Sequence, residues 1–312
     1  MAGTPIHLQL LGSNPIRMAE CGERAFNLGS SSIDLNFGCP ARTVNKNEGG
    51  AKLLVNCEKL YKLVKDIRDR LPSSIPLTAK IRLGYSDESQ FLEIAKAIES
   101  AGASKLTVHG RTKLQAYRPP VNWDAIAEIN SELKIPVVAN GDIWTPSDFE
   151  KCRETTGCSS FMLGRGLVAR PSLAREVKFG ESAMSYIQLI PVLHCFINNS
   201  LVFRNERYAV QRTKQMLKLW GQTYPEFRLL FEKIKRSQDL KDLNSLLTAF
   251  CQNNHIKWSN IKTQSAWLSL DESKSLFNFE PIQHLVKTER LSDKTFRLQP
   301  KSLAKTSKEV LL

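Results

Sequence analysis

The stretch "PLTAKIRLGYSDESQFLEIAKAIESAGASKLTVHG", residues 76–110, contains one complete structural unit and decides the fold class. It opens on a strand pattern, "PLTAKIRLG" (76–84), and passes through a Gly-containing loop. In "SQFLEIAKAIESAGA" the residues Phe91, Leu92, Ala95, Ile98 and Ala101 recur at helical spacing, and Gly102 stops the helix. "KLTVHG" (105–110) then returns to strand. Strand, helix and strand in succession imply parallel pairing.

The same unit repeats on both sides of this stretch. Further strand candidates are "IHLQLLG" (6–12), "SIDLNFG" (32–38), "PVVANG" (136–141) and "SSFMLG" (159–164). Chemically capable residues stand at the C-terminal ends of several: Cys39, Lys80 to Arg82, His109, Asn140 and Arg165. That pattern belongs to a (β/α)8 TIM barrel, whose active site lies at the C-terminal face of its strands. Six strands are legible within about 180 residues, where eight in about 250 are usual. The chain opens almost directly on a strand, so the expectation is a barrel lacking its first two strands rather than one with two unreadable strands.

From about residue 182 the pattern is helical alone. In "ERYAVQRTKQMLKLWG" the residues Ala209, Val210, Thr213, Met216, Leu217 and Trp220 share one face, with Arg207, Gln211, Lys214 and Lys218 as a neighbouring stripe and Arg212 further round. The expected organisation is a catalytic barrel over 1–180, a small all-α domain over 181–259 and a flexible, Ser- and Lys-rich tail over 260–312.

The 312 residues are 42% hydrophobic and 24% charged, a soluble composition without a membrane-spanning run or a secretory signal. Seven cysteines, at 21, 39, 57, 152, 158, 195 and 251, are scattered without a CxxC pair. This fits a reducing cytoplasm and argues against a disulfide framework or a metal site. The net charge is +13, of which residues 1–180 carry +5 and the remainder +8. Such an excess fits a polyanionic partner, or simply a basic surface; the charged helical stripe has the same two readings.

Three features carry chemistry. "IPVVANGDIW" (135–144) and "FMLGRGLVARPSL" (161–173) are the last strands and their loops, where barrels of this class bind phosphate. Gly141, Gly164 and Gly166 let backbone N–H groups approach an anion, Arg165 adds charge, and a following helix start favours negative charge. The alternative is that these glycines merely end strands. "GRGLVA" matches a weak dinucleotide fingerprint, but it closes the strand series instead of opening one, which excludes a Rossmann site. Lys80 stands inside a strand, where a lysine is costly unless functional; it could form a Schiff base or hold a negatively charged ring. His109 could be structural or line a pocket. Cys39, between Gly38 and Pro40, is a loop-tip thiol able to donate a proton or act as a nucleophile.

Taken together, "DLNFGCPARTVN", "LTAKIRLG", "LTVHGRTKLQAYR", "VVANGDIW" and "MLGRG" resemble the tRNA-dihydrouridine synthases, over roughly residues 5 to 258. "ARTVN", "PVNWDAI" and "ANGDIW" are most similar to the bacterial C-type branch, which acts on uridine 16 of the D-loop. The resemblance implies FMN as cofactor, NADPH as reductant and tRNA as partner of a monomer. It implies Cys39 as proton donor, and Gln9, Lys80, His109, Asn140, Gly141, Asp142, Gly164 and Arg165 around the flavin. Asn36, Tyr117 and Arg118 would guide the uridine, and Arg212, Lys214 and Lys235 would contact tRNA, joined by Arg207 and Lys218 from the helical stripe. The family's first strand, with a Pro-Met pair that packs on the flavin, and its second strand have no counterpart in this sequence. Weak flavin retention and poor stability are therefore expected. Other expectations are a pyrimidine-type FMN dehydrogenase, a Lys80 Schiff-base aldolase, or an RNA-binding remnant with impaired catalysis.

Overall fold

The computed structural model describes residues 7–254, all within one compact unit that spans Ala2–Lys262. The tail expected over 260–312 lies outside the described residues.

Six strands form one sheet in sequential order: β1 (His7–Leu10), β2 (Ser32–Asn36), β3 (Leu77–Arg82), β4 (Lys105–His109), β5 (Val137–Asn140) and β6 (Ser160–Met162). Each neighbouring pair is parallel. The intervening helices are α1 (Pro15–Asn27), α2 (Arg42–Lys46), α3 (Cys57–Arg70), α4 (Phe91–Ser100), α5 (Trp123–Glu132) and α6 (Pro146–Thr156), with a 3-10 turn over Gly50–Val55. After β6 come α7 (Arg165–Ala169) and α8 (Leu173–Phe179). This is the βα alternation of a TIM barrel, drawn as a six-stranded arc. Among the described residues the arc stays open, with β1 and β6 as its edges.

Local chemistry sets the boundaries. α6 starts on a capping box, in which Thr145 Oγ1 accepts from Asp148 N (3.1 Å) and Asp148 Oδ2 accepts from Thr145 N (2.9 Å), a device worth about 1 kcal/mol. α4 ends where Gly102 takes a φ of +95°, a conformation that disfavours a side chain. Alternation along the strands sends Leu77, Ala79 and Ile81 into the helix-covered core, where each is fully buried. The same alternation sends Thr78, Lys80 and Arg82 to the opposite face.

The remainder is helical: α9 (Tyr186–Phe203), α10 (Glu206–Trp220), α11 (Pro225–Ile234) and α12 (Leu240–Asn253). Its hydrophobic cluster, distinct from that of the sheet, is built around Phe227, which meets the rings of Trp220 (4.9 Å), Tyr224 (5.9 Å) and Tyr186 (6.2 Å). α10 packs on α7 as well as on α9, α11 and α12. No helix of the described residues is long and apolar enough to cross a membrane.

Candidate active site

Strand register assembles the site. Arg82 pairs with His109, and His109 pairs with Asn140, which pairs with Met162, so one row of the sheet carries all four at its C-terminal edge. The row before it runs from Asn36 through Lys80 to Thr107. Above these rows lies a cavity of about 450 Å³. Gln9, Asn36, Cys39, Lys80, His109, Tyr117, Asn140, Gly141, Asp142, Gly164 and Arg165 all line it. Residues singled out across 157 positions of sequence thus meet at one mouth.

Hydrogen bonds hold the floor rigid. Gln9 Nε2 donates to Asp34 (2.7 Å), Asn36 Nδ2 to Gln9 Oε1 (2.7 Å), and Lys80 Nζ to Asn140 Oδ1 (3.0 Å). Asn140 Nδ2 in turn donates to the Met162 carbonyl (2.7 Å). Burial, reinforced by the neighbouring Arg82 charge, pushes Lys80 down to about 8. Burial, followed by the charges of Arg82, Lys80, Arg111 and Arg165, pushes His109 down to about 3, so its imidazole is neutral. The cavity is short of negative charge, and an anion is the complementary guest.

The loop that carries Cys39 is pinned from both sides. The Cys39 carbonyl accepts from Asn45 Nδ2 (2.8 Å) and Ala51 N (3.1 Å). A Cβ on Gly50, whose φ is +61°, would fall 2.8 Å from that carbonyl oxygen. Gly50 is therefore the glycine this corner requires. A Cβ on Gly38 would make only ordinary contacts at 3.5 Å or beyond.

Arg82 was named at its strand end but given no role, and Arg111 escaped the sequence reading of the site. Arg82 donates from Nε to the Gly38 carbonyl (3.0 Å) and from Nη1 to those of Thr112 (3.0 Å) and Ala116 (2.9 Å). Its only advance signal is its place two residues after Lys80, on the same strand face. Arg111, fully buried, forks onto both carboxylate oxygens of Asp142, with Nη1 3.0 Å from Oδ1. Asp142 therefore lines the cavity with its carboxylate already engaged; beside a phosphate it can act only through the backbone turn it occupies, at φ +49°. Arg165 lies 3.8 Å from the same carboxylate and stacks over the rings of Tyr117 (4.2 Å) and Trp144 (5.1 Å). A Cβ on Gly164 would meet nothing within 4 Å, whereas one on Gly166 would fall 1.9 Å from the Ile143 carbonyl. One glycine thus opens onto free space beside Arg165 and the other locks the two loops together. An exposed guanidinium edge, a bare backbone and surplus positive charge fit the phosphate end of a cofactor.

Other residues lie elsewhere. Arg118 is exposed on the rim, bonded to the Leu114 carbonyl (3.1 Å), and does not line the cavity. On α10, Arg207, Arg212 and Lys218 are exposed, but Lys214 is buried. Of the stripe's cations Arg207 and Lys218 face solvent, as does Arg212 further round, and Lys214 does not. Position 214 is four residues after Val210 and three before Leu217, and a helix with neighbours on several sides buries more than its apolar face. Lys235, after α11, is paired with Glu232.

The dihydrouridine synthase family matches residues 2–255. The tRNA-dihydrouridine(16) synthase of Pseudomonas syringae pv. tomato is 45% identical over 79% of this chain and 79% of its own length. The proteins of that description from Neisseria meningitidis serogroup A (80% of this chain, 77% of its own) and Haemophilus influenzae (78% of each) are both 42% identical. Among solved structures there is a partial overlap with an old yellow enzyme homologue from Zymomonas mobilis, 15% identical over 55% of this chain and 52% of that one, with a TM-score of 0.41. A match over most of the chain, with relatives this similar, leaves one assignment: this protein belongs to the dihydrouridine synthase family.

Proposed function

We propose that the protein reduces a uridine of tRNA, position 16 of the D-loop, to 5,6-dihydrouridine, with FMN as bound cofactor and NADPH as reductant. The observation that carries this reading is the single cavity that gathers the Cys39 thiol, the Lys80 amine and the Gly164–Arg165 loop. Reduced FMN, when bound, supplies the hydride that C6 of the base receives. Gln9, Lys80 and His109 would hold its ring, and Asn140, Gly141, the Asp142 turn, Gly164 and Arg165 its phosphate.

The protein's own part is to place the base and deliver a proton. His109 is neutral and Lys80 is bonded to Asn140; Cys39 lines the same cavity and is the proton donor that the family resemblance implies. Its thiol protonates C5 as the C5–C6 double bond becomes single, and the thiolate left behind recovers a proton from water. The base must leave its stack to reach the cavity. Asn36 in the floor, with Tyr117 and Arg118 nearer the mouth, would receive it, while Arg207, Arg212, Lys218 and Lys235 in the helical region would hold tRNA phosphates and fix its register.

The test is reconstitution of the full chain with FMN, followed by NADPH-dependent reduction of tRNA lacking dihydrouridine. Flavin absorbance that stays with the protein and a gain of dihydrouridine at position 16 are expected. Flavin binding without any reduction of tRNA would overturn the reading. The exposed cations Arg207, Arg212 and Lys218 support a second one, an RNA-binding protein with impaired turnover. It predicts salt-dependent tRNA binding and no retained flavin.

A further inference from the structure

We propose that Lys52, Tyr85 and Lys113 form a phosphate-binding post for the RNA strand, on the rim beside the Cys39 loop. This rests on the function proposed above and adds a site to it. The three residues come from the segments that follow β2, β3 and β4. Lys52 lies in the 3-10 turn whose Ala51 N–H bonds the Cys39 carbonyl (3.1 Å). Tyr85 follows β3, and the Lys113 backbone N–H closes the arrangement on the Gly84 carbonyl (3.0 Å).

Lys113 Nζ stands 4.6 Å from the Tyr85 ring centroid and 3.3 Å from its hydroxyl, and Lys52 Nζ stands 5.5 Å from the same centroid. One ring thus gathers two ammonium groups. Among the described residues neither is ion-paired. The carboxylates nearest Tyr85 in sequence are turned to neutral donors: Asp87 to Ser86 Oγ (2.7 Å) and Ser89 N (3.0 Å), Glu88 to Gln115 (3.1 Å) and Asn122 (2.7 Å). Contacts with the ring offset part of the repulsion between the lysines, and an incoming anion would relieve the rest. Neither lysine lines the catalytic cavity, so the anion is not the one inside it. A strand that splays a base into the cavity carries its phosphates across the rim, which makes the RNA backbone the matching ligand.

The experiment measures tRNA affinity against KCl concentration for the full chain, for Lys52→Gln with Lys113→Gln, and for a control, Lys62→Gln, an exposed cation on α3. The double variant is expected to lose about 0.7 from the slope of log affinity against log salt, the value for one single-strand phosphate contact. FMN affinity and the control slope stay unchanged. Tyr85→Leu is expected to lose part of the same affinity, because the lysines are no longer held together. A double variant with the wild-type slope would overturn the post alone, and so would a loss of FMN affinity in its place. A wild-type chain without salt-dependent tRNA affinity would overturn the post and the function together.

Discussion

The sheet and the helical region use positive charge in opposite ways. At the cavity three cations are buried or half-buried and individually tethered: Arg111 by Asp142, Arg82 by three carbonyls, Lys80 by Asn140, with the half-exposed Arg165 beside them. On α10, Arg207, Arg212 and Lys218 project into solvent over an aromatic core. Buried cations carry a desolvation cost and act at fixed points, which suits a small anion of one shape. Exposed cations act through a screened field, which suits a long polyanion that arrives in many orientations. Lys214 departs from this division, buried on a helix whose other basic residues are exposed.

Substitutions break the comparison in order of effect. Cys39→Ala should lower turnover by about 100-fold to 10,000-fold, the range for removing a general acid. Flavin and tRNA affinity, measured by fluorescence and filter binding, should remain. Normal turnover would remove the proton-donor role. Arg111→Met leaves the Asp142 carboxylate with only the longer contact to Arg165, 3.8 Å away, beside the proposed phosphate site, and FMN affinity should fall tenfold or more. Adding Asp142→Asn removes the stranded charge and should restore most of the loss; a double variant as weak as the single one would mean Arg111 acts only through packing.

Lys80 provides a pH signature. Its amine is held down to about 8, and an anion binds its protonated form, so FMN affinity should be flat below pH 8 and decline above it. Lys80→Met should bind more weakly and lose that decline, in a titration followed by flavin fluorescence. The smallest effect belongs to the helices. Arg207→Gln, Arg212→Gln and Lys218→Gln should each lower the salt slope of tRNA binding by about 0.7 and leave flavin untouched. A change in flavin affinity would show that the two uses of charge are coupled.

Legibility followed locality. All six strands were readable because alternation and Gly-ended loops are written into short stretches, and α10 was readable because its apolar face repeats at helical spacing. Cavity residues at strand tips were readable for the same reason. The Arg111–Asp142 pair spans 31 positions and depends on a fold in which adjacent strands present their loops side by side. Nothing near "HGRT" signals it. Gly50 likewise looks like an ordinary loop glycine until the Cys39 carbonyl is in place. The burial of Lys214 depends on what packs around α10, which helical periodicity cannot encode.

Arg82 links parts of the rim that sequence separates widely. A single side chain joins the carbonyl just before the thiol to two carbonyls in the segment leading to Tyr117, whose ring lies 5.4 Å from the guanidinium. The sulfur and the aromatic lip are thus hitched to one anchor. A guest that pushes on the lip shifts the sulfur with it, and neither can be re-aimed alone.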